Sequence, residues 1–223
     1  MNGQARLVGI QVGRPIVHGH KDAQDPLDQP WRTGFFKSPV SGPVWLGRTN
    51  LFGDGQGNRR VHGGPDKAVL AYSANHYPAW RREMSKPDLP YGAFAENFTV
   101  DGLVEDTVCI GDIYRVGDAR VQVTQPRQPC QNITHRWRIE RLTECVEETG
   151  RTGWYQRVLD EGIVEAGQTV TLLDRPSPLW TIARATGVMH RRHTAPAEAA
   201  ALAALPWLSE AWRSTLVRQR APV

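Results

Sequence analysis

Short apolar or alternating runs, bounded by Gly, Pro, Asn or Asp, recur through the first 175 residues. RLVGIQVG (6–13), PVWLG (43–47), KAVLAY (67–72), ENFTV (96–100), DIYRVG (112–117), ARVQVT (119–124) and QTVTLLD (168–174) each have the length and the boundaries of a strand. Gly117-Asp118, between two of them, predicts a tight hairpin. Two helical patterns interrupt the series. SANHYPAWRREM (73–84) has Ser73 in the capping position, and Pro78 should distort or restart the helix. IERLTECVEET (139–149) puts Ile139, Leu142 and Val146 on one face and stops at Gly150.

After DRPSPLW the period changes. TIARATGVMHRR, PAEAAALAAL and SEAWRSTLVRQR read as three short helices, with Pro196 near the start of the second and Ser209 capping the third. Leu208, Trp212 and Leu216 form an apolar stripe at helical spacing. The pattern predicts a mainly β fold with α elements: a barrel-like domain over 1–175 with peripheral helices, then a three-helix appendage over 176–223.

A chain of 223 residues can bury one sizeable core. No apolar run approaches the ~18 residues of a membrane span, and the first residues lack the apolar segment of a secretory signal. Three scattered cysteines give no disulfide framework, which favours free thiols in a reducing cytoplasm. The net charge of +4 sits in the tail, where Arg184, Arg191, Arg192, Arg213, Arg218 and Arg220 face only Glu198 and Glu210. The body is neutral, so no basic stripe for nucleic acid is expected, and no membrane partner either.

Three stretches carry candidate chemistry. VQVTQPRQPCQNITHRW (121–137) ends a strand at Pro126, turns again at Pro129 and sets Cys130 on the corner. A buried packing cysteine is one reading, but packing needs no such platform. A nucleophile or metal ligand does, and Arg127 and His135 are placed to favour the thiolate. Cys109 and Cys145 read as packing residues, and no C-x-x-C pair exists. LFGDGQGNRRVHGGPDKAVLAY (51–72) surrounds Arg59, Arg60 and His62 with glycines and continues to Lys67. It reads as an anion-binding loop or as a flexible hairpin loop, and it is not a P-loop. Lys37 lies in a Gly/Pro-bounded loop, and Glu96-Asn97 interrupts an apolar stretch to cap a turn or face a pocket. The pairs His18/His20 and His190/His193 are weak metal candidates.

GDGQGNRRVHGGPDKAVLAYSANHYPAW, GAFAENFTVDGLVEDTVCIGD and VTQPRQPC, in that order and spacing, resemble the MOSC domain, and more narrowly its YiiM-type members. The resemblance covers essentially the whole chain, tail included. It implies a strand-rich barrel that binds the molybdenum–pterin cofactor and reduces N-hydroxylated bases, amidoximes or hydroxylamines by two electrons. It also implies that Cys130 ligates molybdenum. Lys37, Arg59, Arg60, His62, Gly63, Gly64 and Lys67 then lie where the pterin and its phosphate are held. Asp54, Asn97, Thr124, Gln125, Arg127 and Gln128 match positions near the site, with Asp54 or His62 as a proton relay. The family reads F-G-E-N where this chain has Ala95, so a strained alanine is expected if that position needs φ > 0. The chain has neither an iron–sulfur cysteine pattern nor a dinucleotide fingerprint, so its electrons should come from a separate flavin or iron–sulfur protein. Arg213, Arg218 and Arg220 either offer that donor a landing surface or only solvate a helix face. The rival reading is a non-catalytic module that carries the cofactor or sulfur on it. A third, a cysteine hydrolase, would need His135 and Glu140 as partners of Cys130.

Overall fold

The alternating segments become strands, and the elements follow in chain order. They are β1 (Arg6–Val12), β2 (Ile16–His18), β3 (Trp31–Thr33), β4 (Ser38–Pro39), β5 (Val44–Leu46), α1 (Arg59–His62), β6 (Val69–Ser73), α2 (Tyr77–Glu83), β7 (Phe98–Asp101), β8 (Ile113–Val116) and β9 (Ala119–Pro126). Next come α3 (Asn132–Trp137), α4 (Leu142–Glu148), β10 (Trp154–Asp160), β11 (Gly162–Val164), β12 (Val170–Asp174), α5 (Ile182–His190), α6 (Pro196–Ala203) and α7 (Glu210–Val217). The structure, a computed structural model, describes residues 4–218. Among them no helix is long and apolar enough to cross a membrane.

Eight strands form one sheet in the order β12-β8-β9-β10-β6-β7-β1-β4, antiparallel except where β6 and β7 run parallel. β8 and β9 form the expected hairpin across Gly117-Asp118. The expected barrel is only partly closed. The two ends of the sheet meet at one rim, where Leu7 N donates to Gln168 O at 2.9 Å and Val170 N to Ala5 O at 2.8 Å. Further along β1, β4 takes over the same edge and no continuous ladder joins the ends.

β2, β3, β4, α1, α3, β10 and β11 were not expected as elements, and two of them bear on the site. β10 sits between β9 and β6 and buries Trp154, Gln156 and Val158 on one face. A glutamine at an inward position hides that alternation. α3 follows directly on the cysteine corner. The predicted helix at 73–84 is two pieces: Ser73 Oγ accepts from Asn75 N at 3.3 Å to cap a single 3-10 turn, and α2 then restarts with Pro78 in its first turn. Proline is tolerated there because that N–H has no intrahelical partner.

The three tail helices form as the periodicity predicts. Leu208, Trp212 and Leu216 are buried in the same apolar cluster as Leu7, Val121 and Trp154 of the sheet. The tail therefore shares the core of the strand domain. Polar ties reinforce this join. Ser209 Oγ donates to Gln125 Oε1 at 2.7 Å, and Arg157 Nη2 donates to Trp207 O at 3.1 Å.

Candidate functional site

β9 ends at Pro126, and the chain turns through Arg127–Cys130 into α3. Arg127 N donates to Gly153 O at 3.0 Å, which pins the turn to the start of β10. The Cys130 carbonyl is held by Ile133 N at 3.0 Å and Thr143 Oγ1 at 3.1 Å. The corner is thus fixed by two prolines and by hydrogen bonds from three other segments. Cys130 is half-buried and lines a cavity of about 410 Å³ together with Lys37, Asp54, His62, Lys67, Asn97, Arg127 and Gln128. Residues far apart in the chain, singled out on sequence alone, thus share one concave space.

Arg127 is the electrostatic centre of this wall. Its residue is 4% exposed, and its Nη1 is buried without a hydrogen-bond partner. Buried donors are nearly always paired, so an unpaired guanidinium nitrogen marks a place for an acceptor. Lys67 Nζ donates to Val61 O at 2.6 Å. Burial lowers the pKa of Lys67, with Asp66 opposing. Burial also holds the His62 imidazole below its ordinary value, and the charges of Lys67 and Arg127 push the same way. His62 is therefore neutral at pH 7, next to two cations.

Lys37 and Asp54 are not free. Lys37 Nζ is ion-paired with Asp54 Oδ1, with both side chains buried. The same oxygen accepts from Gly13 N at 2.8 Å, and Asp54 Oδ2 accepts from Asn97 Nδ2 at 2.9 Å. Asn97 is fixed in turn because its Oδ1 accepts from Leu70 N at 3.1 Å. This network makes Asp54 an anchor with its acceptors in use, and it leaves Lys37 less charge for a ligand. Ala95, just before, has φ 63°, the left-handed conformation expected from its place in the turn. Glu96 stabilises that turn, accepting from Gly92 N at 2.6 Å and Phe94 N at 3.1 Å.

Several expected residues lie elsewhere. Arg59 and Arg60 project outward, exposed, from α1, whose other face turns Val61 and His62 to the cavity. Gly63 and Gly64 shape the end of that helix. A Cβ on Gly63 would meet Arg59 O at 2.7 Å, and Gly64 has φ +97°. Thr124 Oγ1 donates to the carbonyls of Asp66 at 2.7 Å and Tyr155 at 3.1 Å, and Gln125 faces the tail. Both are structural. His135 does not serve Cys130: its Nε2 bonds Leu27 O at 2.7 Å and its ring stacks on Trp31 at 3.9 Å. The histidine of the hydrolase reading is thus engaged elsewhere. Of the arginines expected to meet the electron donor, Arg213 is half-buried with its Nη2 donating to Leu205 O at 3.1 Å and Leu208 O at 3.3 Å, Arg218 is exposed, and Arg220 lies outside the described residues.

The cavity also contains residues the sequence reading missed. Trp31, Thr33 and Phe35 form a wall, Gln56 and Asn58 come from the glycine loop, and Tyr155 comes from β10. Burial raises the Tyr155 pKa, Arg127 opposes the shift, and Cys130 adds to it. Tyr155 could have been found only by recognising β10.

The MOSC domain family matches residues 58–171, and the YiiM-like 3-alpha helix domain matches residues 180–221. YflK of Bacillus subtilis (strain 168) is 40% identical over 188 residues, covering 84% of this chain and 85% of that protein. A protein named Reductase from Gibberella moniliformis is 37% identical over 164 residues, which are 72% of this chain but 29% of that larger protein. The crystal structure of YiiM from Geobacillus stearothermophilus superposes with a TM-score of 0.78 at 34% identity, covering 95% of this chain and 97% of that one. The family match runs from the glycine loop through Cys130 to β12, and the second match covers the three helices that share its core. The chain belongs to the MOSC domain family and is of the YiiM type.

Proposed function

We infer that this chain holds a molybdenum–pterin cofactor in the cavity beside Cys130 and reduces N-hydroxylated compounds to amines. The observation that carries this reading is the meeting of one thiol and one unpartnered buried guanidinium in a single cavity of about 410 Å³. That volume suits a small-molecule site. Among the described residues no group of three or more His, Cys, Asp or Glu could hold a bare metal ion. A single soft thiolate suits a metal that brings its remaining ligands with it. Cys130 would be the protein's ligand, and Arg127 and Lys67, with neutral His62, would take the anionic end of the cofactor. The reductase name of the Gibberella relative supports the same class of chemistry.

The bound group supplies a two-electron redox centre. The overall change is R–NHOH plus two electrons and two protons giving R–NH2 and water. The chain's own part is binding, orientation and proton supply. His62 lines the cavity as a neutral imidazole, able to take up and pass on a proton. Tyr155 stays protonated and can donate. Trp31 and Phe35 provide apolar surface that limits water. A separate flavin or iron–sulfur protein would deliver the electrons.

The test is metal and pterin analysis of protein made in a cofactor-competent host, followed by turnover of N-hydroxyadenine with a chemical reductant. Wild type should carry stoichiometric molybdenum and turn over. Cys130→Ser should keep the fold and lose turnover. Loaded wild type without turnover would mean a carrier, and full activity in Cys130→Ser would overturn the ligand assignment.

A further inference from the structure

A second cavity, of about 440 Å³, lies where the strand domain meets the tail. Arg127 and Glu147 reach it from the strand domain, and His190, Arg192 and Trp212 reach it from the tail. Two buried donors there lack partners. Trp212 is 2% exposed and its Nε1 has no acceptor, and the same holds for Arg127 Nη1. An indole N–H and a guanidinium can only donate. Both groups belong to residues that line this cavity, one from the strand domain and one from the tail, and each lacks an acceptor.

Charge narrows the choice. Arg192 adds a second guanidinium, of which Nη1 bonds Met189 O at 2.9 Å. The one acid, Glu147, is held by His190 Nε2 at 3.4 Å. Two arginines and an indole N–H thus face one paired carboxylate. We propose that this interdomain cavity binds a small phosphate-class oxyanion, held by Arg127, Arg192 and Trp212. Inorganic phosphate and a phosphate monoester present the same oxygens. Because the Arg127 side chain borders both cavities, an anion here shares its charge with whatever occupies the cavity at Cys130. The two sites therefore oppose each other. The oxyanion site itself does not depend on the cofactor reading.

The indole N–H of Trp212 reports the site directly. Its resonance in a 1H–15N spectrum of the full chain is assigned by its loss in Trp212→Phe. Inorganic phosphate, and methyl phosphate in parallel, should move it downfield and saturate, while chloride at equal ionic strength should not. Saturation with phosphate alone assigns the free ion, and saturation with both assigns any phosphate monoester. Arg192→Gln should weaken the response about tenfold or more, as expected for losing one charge-assisted hydrogen bond. Lys67→Gln, which alters only the first cavity, should leave the response in place. A resonance that stays still up to about 20 mM phosphate, where even a millimolar site is filled, would overturn the proposal. An equal shift in chloride, or an unchanged affinity in Arg192→Gln, would do the same.

Discussion

Ser209→Ala tests how the tail is fastened to the strand that leads to Cys130. Ser209 is fully buried. Its Oγ accepts from Trp212 N at 3.3 Å, capping α7, and donates to Gln125 Oε1 at 2.7 Å. Its own N–H donates to Thr124 O at 3.0 Å, a bond that alanine keeps. Losing the cap costs about 1 kcal/mol. The buried Gln125 oxygen then has no donor, which costs a further ~1–3 kcal/mol. The sum, about 2–4 kcal/mol, corresponds to a fall in Tm of roughly 5–15 °C for a chain of this size. Thermal unfolding followed by circular dichroism reads it. Ser214→Ala is the control, because Ser214 Oγ bonds only the exposed Glu210 carboxylate at 2.9 Å. It should change stability by less than about 0.5 kcal/mol. Adding Gln125→Met to Ser209→Ala should recover part of the loss, since it removes the orphaned Oε1, although it also gives up the bond from Gln125 Nε2 to Pro126 O at 3.2 Å. If Ser209→Ala melts with Ser214→Ala, this junction does not hold the tail.

Three further outcomes follow from the cavity wall. Ala95→Gly relieves a left-handed alanine and should raise stability by about 1 kcal/mol, read as a higher denaturant midpoint; a lower one would show that the alanine is unstrained. Lys37→Met leaves Asp54 buried without its cation and should cost ~3–5 kcal/mol, and adding Asp54→Asn should restore much of it. His62 has a lowered pKa, so the unfolded chain binds its proton first as pH falls. The stability that neutral His62 contributes is therefore complete above 6.5 and is lost as pH drops through the folded value. His62→Gln should flatten the pH dependence of stability below 6.5, and an unchanged slope would count against a buried neutral imidazole.

How legible the molecule was depended on how local each signal is. The alternation at 119–124 and the stripe Leu208, Trp212, Leu216 lie within single elements, and both appear as read. β10 escaped because Gln156 occupies an inward position, and Tyr155 was lost with it. Motif strings brought Lys37, Asp54, His62, Asn97, Arg127 and Cys130 to one cavity, but their letters do not say which way each side chain turns. Arg59 and Arg60 face solvent because α1 rotates them away as it turns His62 inward. Gln125 lies before the strand ends and faces the tail, whereas Arg127 and Cys130 lie past the proline and face the site. The pairing of Lys37 with Asp54, and the meeting of 167–170 with β1, are contacts between distant segments that no local pattern encodes.

The partial closure of the barrel also bears on how the protein behaves when crowded. Free strand edges recruit other chains through their unpaired backbone groups. In the main sheet β7 covers one edge of β1, and the other is divided between 167–170 and β4. β4 is two exposed residues long and ends in Pro39, which has no N–H to offer. The more inviting edge belongs to the small β2–β3 ribbon, where Ile16 is 55% and Val17 62% exposed. Unwanted association at high concentration would start there, and a lysine at position 17 is the change that blocks it without touching the core or either cavity.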